Sequence, residues 1–355
     1  MKDIRLGHHW VGANHPPFII AEMSANHNQS LDRALSLVDA AAESGAHALK
    51  LQTYTADLMT LDLEKEDFLI RSSDSLWKNR TLYQLYQEAY TPWEWHEPIF
   101  ERCRKRGIIP FSTPFHPLAV DFLEQLDVPF YKIASFENND KRLIQKVAAT
   151  GKPVILSTGI STLAGLAETV EWLREAGCQE LILLKCTSTY PASPEQSHLL
   201  TIPHMKELFE CEAGLSDHTQ GIGAAIASVA LGATVIEKHF TLSRSDGGVD
   251  AAFSLEPQEM KALVEESERA WRALGRVHYG SDERESSSLV FKRSLYVSRD
   301  MLPGDTFDES NLRSIRPGYG LSPKYYDLFI GKPVSRKVEA GTPLSWDMLG
   351  SRQAD

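Results

Sequence analysis

Eight short apolar runs, each bounded by turn residues, recur between positions 18 and 274. They lie at 18–22, 48–52, 108–113, 130–135, 153–158, 181–186, 212–215 and 235–240. Segments with apolar residues at helical spacing lie between them, at 32–44, 92–106, 141–150, 163–176, 202–209, 223–231 and 257–274. No such segment is assigned after the third run, and a long polar insert, 55–80, precedes the helix at 92–106. Eight strands alternating with such helices in about 260 residues match a (β/α)8 TIM barrel, an α/β fold, in number and size. A doubly wound open sheet is the alternative, usually with fewer strands. Pro110 falls inside the third run, where a missing N–H suits a local bulge.

Beyond position 275 the pattern changes. Short alternating segments and Gly/Pro turns replace the helices, which reads as a small, mostly β domain. The expected organisation is a barrel over 1–280, a polar linker over 281–290 and the small domain over 291–355. A net charge of −11 over 355 residues argues against a nucleic-acid partner, which usually meets a basic face. No apolar run approaches about 20 residues, so no membrane span is expected. The first ten residues lack an apolar signal core. The four cysteines form no CxxC pair and read as reduced packing residues. Together these features predict a cytoplasmic protein.

In a TIM barrel the reacting groups come from the C-terminal ends of the strands. Those ends supply Glu22, Lys50, Thr113, Lys132 with Ser135, Ser157, Lys185 with Thr187, Ser216 with His218, and Glu237 with His239. Alternate side chains of a strand share a face, so Glu237 and His239 point one way and Lys238 the other. Burying a carboxylate and an imidazole is costly unless a metal or a charged substrate pairs them. Lys50, Lys132, Thr113, Ser135, Ser157 and Ser216 are all donors and suit an oxyanion such as phosphate. His218 and His239, with Glu22 and Glu237 near, suit Mn2+ or a similar divalent ion, and the ligand type admits zinc as well.

The quoted ends also form recognisable motifs. They are Ala21-Glu22-Met23-Ser24-Ala25-Asn26-His27-Asn28, Lys50-Leu51-Gln52, Phe111-Ser112-Thr113-Pro114-Phe115, Tyr131-Lys132-Ile133-Ala134-Ser135, Cys186-Thr187-Ser188-Thr189-Tyr190-Pro191, Gly214-Leu215-Ser216-Asp217-His218 and Glu237-Lys238-His239-Phe240. In these the chain resembles the sialic acid synthase family, and Arg316-Pro317-Gly318 resembles the turn of that family's C-terminal antifreeze-like (SAF) domain. The resemblance implies condensation of phosphoenolpyruvate with an open-chain N-acetylated amino sugar, with phosphate leaving by C–O cleavage. It implies phosphoenolpyruvate binding by Lys50, Thr113, Lys132, Ser135, Ser157, Ser188 and Ser216, and a divalent ion, Mn2+ with Mg2+ or Co2+ as candidates, on His218 and His239. Glu22, Glu237 and His239 take the catalytic roles it implies. Tyr190, Asp250 and Arg316 would line the sugar site, with Arg316 reaching across a domain-swapped homodimer.

Ser24 and Gln29 stand where the neuraminate branch has glycines, and Ser188 where it has Asn. The segments 22–29 and 54–62 resemble instead the branch whose sugar is 2,4-diacetamido-2,4,6-trideoxy-L-altrose, the pseudaminate branch, associated with flagellin glycosylation and cell-surface polysaccharide. Neuraminate and legionaminate synthesis are the alternatives within the family. Outside it stand a metal-independent barrel aldolase with Lys132 as Schiff-base lysine and a non-enzymatic binding module on a degenerate barrel.

Overall fold

The computed structural model describes residues 2–71 and 77–350. It divides into two compact units, Met1–Gly275 and Arg276–Asp355. The first opens with an antiparallel hairpin of Ile4–Leu6 (β1) and His9–Val11 (β2), a pairing the sequence reading did not expect. Eight parallel strands follow: Phe18–Glu22 (β3), Ala48–Thr53 (β4), Ile109–Pro114 (β5), Tyr131–Ile133 (β6), Val154–Ser157 (β7), Leu181–Cys186 (β8), Glu212–Asp217 (β9) and Val235–His239 (β10). They close in the order β10-β3-β4-β5-β6-β7-β8-β9, so the expected barrel forms and the open sheet does not.

Helices Leu31–Glu43 (α1), Ala56–Met59 (α2), Leu82–Ala89 (α3), His96–Arg106 (α4), Pro117–Gln125 (α5), Lys141–Ala148 (α6), Leu163–Glu175 (α7), Thr201–Phe209 (α8), Gly223–Ala230 (α9) and Pro257–Leu274 (α10) accompany the strands. The spacing analysis missed α5. Its buried stripe is short (Ala119, Val120 and Leu123), but its start carries a helix signal, with Pro117 at the first position behind a capping His116. The insert after β4 is also less featureless than its polarity suggests, since α2 and the start of α3 lie in or beside it.

Two apolar layers follow from the strand period of two. Inward positions stack Phe18, Ile20, Ala48, Ile109, Phe111, Phe130, Ile155, Ile182, Leu184 and Val235 into a dry lower barrel, joined by Ile4, Leu6 and Val11 of the hairpin. Outward positions such as Leu49, Leu51, Leu181, Leu183 and Ile236 pack against the helices. Phe111 and Phe130 meet at 4.3 Å between ring centroids. Gly214 is required where it stands, because a Cβ there would lie 2.0 Å from Val235 O.

Pro110 causes no bulge, and the pairing of β4 with β5 runs unbroken through Leu49↔Pro110. Ile109 N–H donates towards β4, to His47 O. The next residue, Pro110, therefore turns its missing donor towards β6, which pairs with β5 only at Ser112↔Tyr131. The second unit pairs Ser294–Val297 (β11) with Leu312–Ile315 (β12) around its own core, which includes Leu295, Phe307, Phe329 and Leu344. One short helix, Tyr326–Phe329 (α11), accompanies them.

Three histidines are built into the first unit as neutral rings. His47 Nδ1 accepts the Ile19 N–H at 2.8 Å, His27 Nδ1 accepts the Gln29 N–H at 3.1 Å, and His96 sits 2.8 Å from Thr53 Oγ1. Burial lowers each to about 4, chiefly by desolvation. A depressed basic pKa means that the unfolded chain binds more protons, so stability is full above about pH 6.5 and falls as the pH drops towards 4. Urea unfolding between pH 7 and pH 4 is expected to show a loss of about 1.4 kcal/mol per pH unit for each ring in that window. Replacing His47 with Gln should flatten the slope by roughly one such increment.

Candidate active site

The same period of two that builds the dry floor continues upward and changes chemistry at the strand ends. Above Phe18 and Ile20 comes Glu22, and above Ala48 come Lys50 and Gln52. Above Phe111 comes Thr113, above Phe130 Lys132, above Ile155 Ser157, and above Val235 come Glu237 and His239. Glu22, Lys50, Lys132 and Glu237 are each 4% exposed or less. Strand register seats them side by side, with Glu22 opposite both Lys50 and His239, and Glu237 opposite Ser216.

Lys50 Nζ lies 2.7 Å from Glu22 Oε2 and 3.5 Å from Glu237 Oε1, and it donates to Thr113 Oγ1 at 3.2 Å. Lys132 Nζ donates to Ser157 Oγ at 2.6 Å and to Ile133 O at 3.1 Å, 4.0 Å from Glu237 Oε1. Ser216 Oγ donates to the same Glu237 oxygen at 3.3 Å. Ser135 Oγ accepts the Gly159 N–H at 3.2 Å. Gly159 keeps its neighbours open, since a Cβ there would sit 2.1 Å from Ser188 Oγ and 2.6 Å from Ser135 Oγ.

The two carboxylates are driven apart. Desolvation raises Glu22, with Lys50 opposing and Glu237 reinforcing the rise. Desolvation also acts on Glu237, but Lys132, Lys50 and His218 overcome it and hold this group below its ordinary value. Lys50 is raised, because Glu22 and Glu237 outweigh its burial, whereas burial wins for Lys132 and lowers it. The result is two neighbouring carboxyls whose proton affinities are shifted in opposite directions.

His218 and His239 meet at 5.3 Å between ring centroids, with Tyr190 4.5 Å from the first and Phe253 4.9 Å from the second. His218 Nδ1 lies 2.9 Å from Thr187 O. In the neutral ring that contact holds the proton on Nδ1 and leaves Nε2 as an acceptor. His239 Nδ1 is buried with no hydrogen-bond partner among the described residues and stands 3.9 Å from Asp250 Oδ2. Burial, and then the charge on His218, lowers His239 well below its ordinary value, which favours the lone-pair form a metal needs. Among the described residues no group of three or more His, Cys, Asp or Glu has metal-binding geometry. An ion on this pair would complete its shell with substrate or water oxygens.

A cavity of about 490 Å3 opens beside these groups, lined on the barrel side by Ser24, Gln52, Ser188, Tyr190, His239 and Asp250. Gln52 donates to Glu22 at 2.9 Å and to Ser24 at 3.0 Å, and Ser24 in turn donates to Asp250. Glu137 also lines the cavity, with Oε2 unpartnered and its carboxyl pushed up by burial to about 7. The sequence reading missed Gln52 and Glu137 as site residues. Parity would have found Gln52, two positions beyond Lys50, but Glu137 stands in a 3-10 turn past the strand end, where parity says nothing.

Lys185 is corrected. It shares the outward face of β8 with Leu181 and Leu183, and its Nζ donates to Cys186 O at 2.9 Å and to Thr187 Oγ1. Thr187 is turned to Gln196 O. The inward residue of that strand is Cys186, whose Sγ is 3.9 Å from His218 Nδ1. Lys238 points outward as expected. Its fully buried Nζ reaches Asp217 Oδ2 at 3.0 Å, Thr219 O at 2.5 Å and Gly221 O at 2.9 Å, bracing the turn that carries His218. Arg316 belongs to the second unit, in the turn after β12.

The NeuB family model matches residues 37–279 and the SAF domain model residues 292–350. The chain is 47% identical over 327 residues to a pseudaminic acid synthase of Campylobacter jejuni, covering 92% of this chain and 95% of the relative. A pseudaminic acid synthase of Helicobacter pylori is 43% identical over 336 residues, 94% and 97% of the two chains. Among solved structures, an N-acetylneuraminic acid synthetase from Leptospira borgpetersenii in complex with citrate superposes with a TM-score of 0.72. It is 32% identical, and the match covers 81% of this chain and 95% of that one.

Removing one partner of a buried ion pair strands the other, at a cost of about 3–5 kcal/mol. Lys238→Met is therefore expected to lower unfolding free energy by that order in urea titration. The double variant Lys238→Met/Asp217→Asn should recover part of the loss, because it leaves no unpaired charge behind.

Proposed function

The chain belongs to the NeuB family, and we propose that it acts as a pseudaminic acid synthase, condensing phosphoenolpyruvate with 2,4-diacetamido-2,4,6-trideoxy-L-altrose and water to give pseudaminic acid and phosphate. The observation that carries this reading is the likeness to the Campylobacter synthase, 47% identity across 92% of the chain. The barrel mouth has the donors and acceptors that the reaction requires. The neuraminate synthetase of Leptospira is more distant, at 32%.

The phosphate and carboxylate of phosphoenolpyruvate need cations and hydroxyls, and Lys50, Lys132, Thr113, Ser135, Ser157, Ser188 and Ser216 supply them. Lys50 and Lys132 now hold hydroxyls and carboxylates; a bound anion takes up those donors. Tyr190 and Asp250 line the sugar side, and the aldehyde carbon faces C3 of the enol. C3 attacks that carbon, a C–C bond forms, and the aldehyde oxygen takes a proton. Glu22, whose carboxyl burial raises, is placed to pass a proton to that oxygen. Water adds to the cationic C2 and gives its proton to Glu237, which Lys132 and Lys50 hold below its ordinary value. The resulting tetrahedral centre collapses to the ketone, its hydroxyl proton passing to the departing phosphate oxygen as the C2–O bond breaks and phosphate leaves.

His218 and His239 would hold a divalent ion, Mn2+ first with Mg2+ or Co2+ as candidates, which when bound supplies a Lewis acid at the aldehyde oxygen. His218, its Nδ1 turned to Thr187 O, and His239, its Nδ1 buried without a partner among the described residues, fit that role. No helix among the described residues is long and apolar enough to cross a membrane, which suits our placement of the enzyme in the cytoplasm. Arg316 of a neighbouring subunit completes the sugar site in a domain-swapped homodimer, its planar guanidinium facing an acetamido carbonyl.

Phosphate release measured with phosphoenolpyruvate and a panel of amino sugars is expected to be fastest with the diacetamido sugar and to occur only with a divalent ion. Turnover that survives EDTA sinks the metal assignment. His218→Ala and His239→Ala should stay folded and lose at least about a hundredfold in kcat, in keeping with the loss of a group that acts on developing charge.

The dimer has its own test. Arg316→Ala and Lys132→Ala proteins, each inactive alone, should regain partial activity after subunit exchange. One site of the mixed dimer then has both an intact Lys132 and a partner's intact arginine. Exchange confirmed by mass spectrometry without return of activity shows that the small domain does not act across subunits.

A further inference from the structure

The cavity beside the reacting groups has two unlike halves. The barrel half is polar, with Ser24, Gln52, Glu137 and Asp250. The other part is mostly apolar and comes from Met59, Ile70, Leu82, Leu85, Tyr86 and Ala89, between β4 and α4. In α3, Leu82, Leu85, Tyr86 and Ala89 recur at i, i+3, i+4 and i+7, one stripe of a helix, and all four line the cavity. A capping box between Thr81 and Gln84 fixes the start of that helix. Met59, the last residue of α2, extends the wall, and Tyr54 ties it to the barrel through edge contacts with Tyr86 at 5.8 Å and Phe115 at 5.2 Å. A hydroxyl turned towards Met59, Leu82 and Leu85 would lose water and gain no partner. A methyl group placed there loses nothing and leaves water.

We propose that this wall is a specificity subsite for the methyl groups of the sugar, the acetamido methyl on C4 together with the deoxy C6, and that Met59 and Leu85 are its determinants. The assignment rests on the synthase reading above and adds the part of the substrate that the polar half does not recognise. Ser24, Gln52 and Asp250 meet hydroxyls and amide N–H groups on one side, while α2 and α3 reject a hydroxylated sugar on the other. Rejection comes from the same physics as binding, since the side chains of Met59, Leu82 and Leu85 offer no donor to a hydroxyl that has left water.

The test uses the full-length protein with Mn2+ and phosphoenolpyruvate, and three sugars: the 2,4-diacetamido-2,4,6-trideoxy sugar, its 4-amino counterpart lacking one acetyl group, and its 6-hydroxy counterpart. Phosphate release gives kcat/KM for each. The unsubstituted protein is expected to prefer the diacetamido sugar by about 10- to 200-fold over either counterpart, the range an apolar pocket gives per missing or altered group. Met59→Gln and Leu85→Asn should narrow that preference to within about threefold. The change should sit in KM for the diacetamido sugar, with KM for phosphoenolpyruvate unmoved. Leu85 is buried, so Met59→Gln, at a half-buried position, serves as the variant that keeps its fold, checked by circular dichroism. Folded variants that keep the full preference, or that lose activity equally with all three sugars, overturn the subsite and leave the synthase reading standing. Phosphate release with none of the three sugars from the unsubstituted protein overturns that reading and the subsite with it.

Discussion

Four charged side chains sealed in the mouth of one barrel set the terms for everything around them. Lys50, Lys132, Glu22 and Glu237 are nearly inaccessible, and any one of them alone at that depth would carry a desolvation cost that no local contact offsets. Together they are tolerable because each lies within 4.0 Å of an opposite charge in the set. That arrangement exists only when the barrel is closed. Glu237 on β10 reaches Lys132 on β6 across the interior, and no pair of adjacent strands could bring these two together.

The dry layer beneath gives the cluster its strength. Phe18, Phe111, Phe130 and the hairpin residues Leu6 and Val11 fill the lower barrel. Low polarity there sharpens every interaction above it. The same environment acts oppositely on two like groups. Glu22 yields to burial and rises, whereas Glu237 is claimed by two lysines and falls. Two neighbouring carboxyls are thus shifted in opposite directions, without any difference in residue type.

Behind the reacting face a second set of contacts fixes positions. Lys238 never sees the cavity, yet it ties together Asp217 and the carbonyls of Thr219 and Gly221, on either side of His218. Gln52 and Ser24 form a chain from Glu22 to Asp250. Opposite them, the apolar stripe of α3 gives the cavity a side that barrel strands do not provide. The barrel strands therefore supply the buried charges, and the segment after β4 supplies apolar lining.

What the sequence determined by itself was whatever a period of two or of 3.6 can encode. Eight apolar runs became eight strands, and the parity of Glu237, Lys238 and His239 gave their faces correctly, because alternation is a property of one strand and needs no neighbour. The same rule, applied strictly, places Lys185 outward and Gln52 inward. Short or weakly patterned elements escaped it: the hairpin at 4–11 and helix α5, whose ends are marked more clearly than its apolar stripe. Only the tertiary structure decided the rest. The missing N–H of Pro110 is harmless because β6 pairs with β5 at a single other residue. Glu137 lines the cavity from a turn, and Leu82, Leu85 and Tyr86 line it from α3. Glu22 and Glu237 part company in acidity because of which lysines lie near each. These are distances between residues far apart in the chain, set by strand register and barrel closure, and no local periodicity carries them.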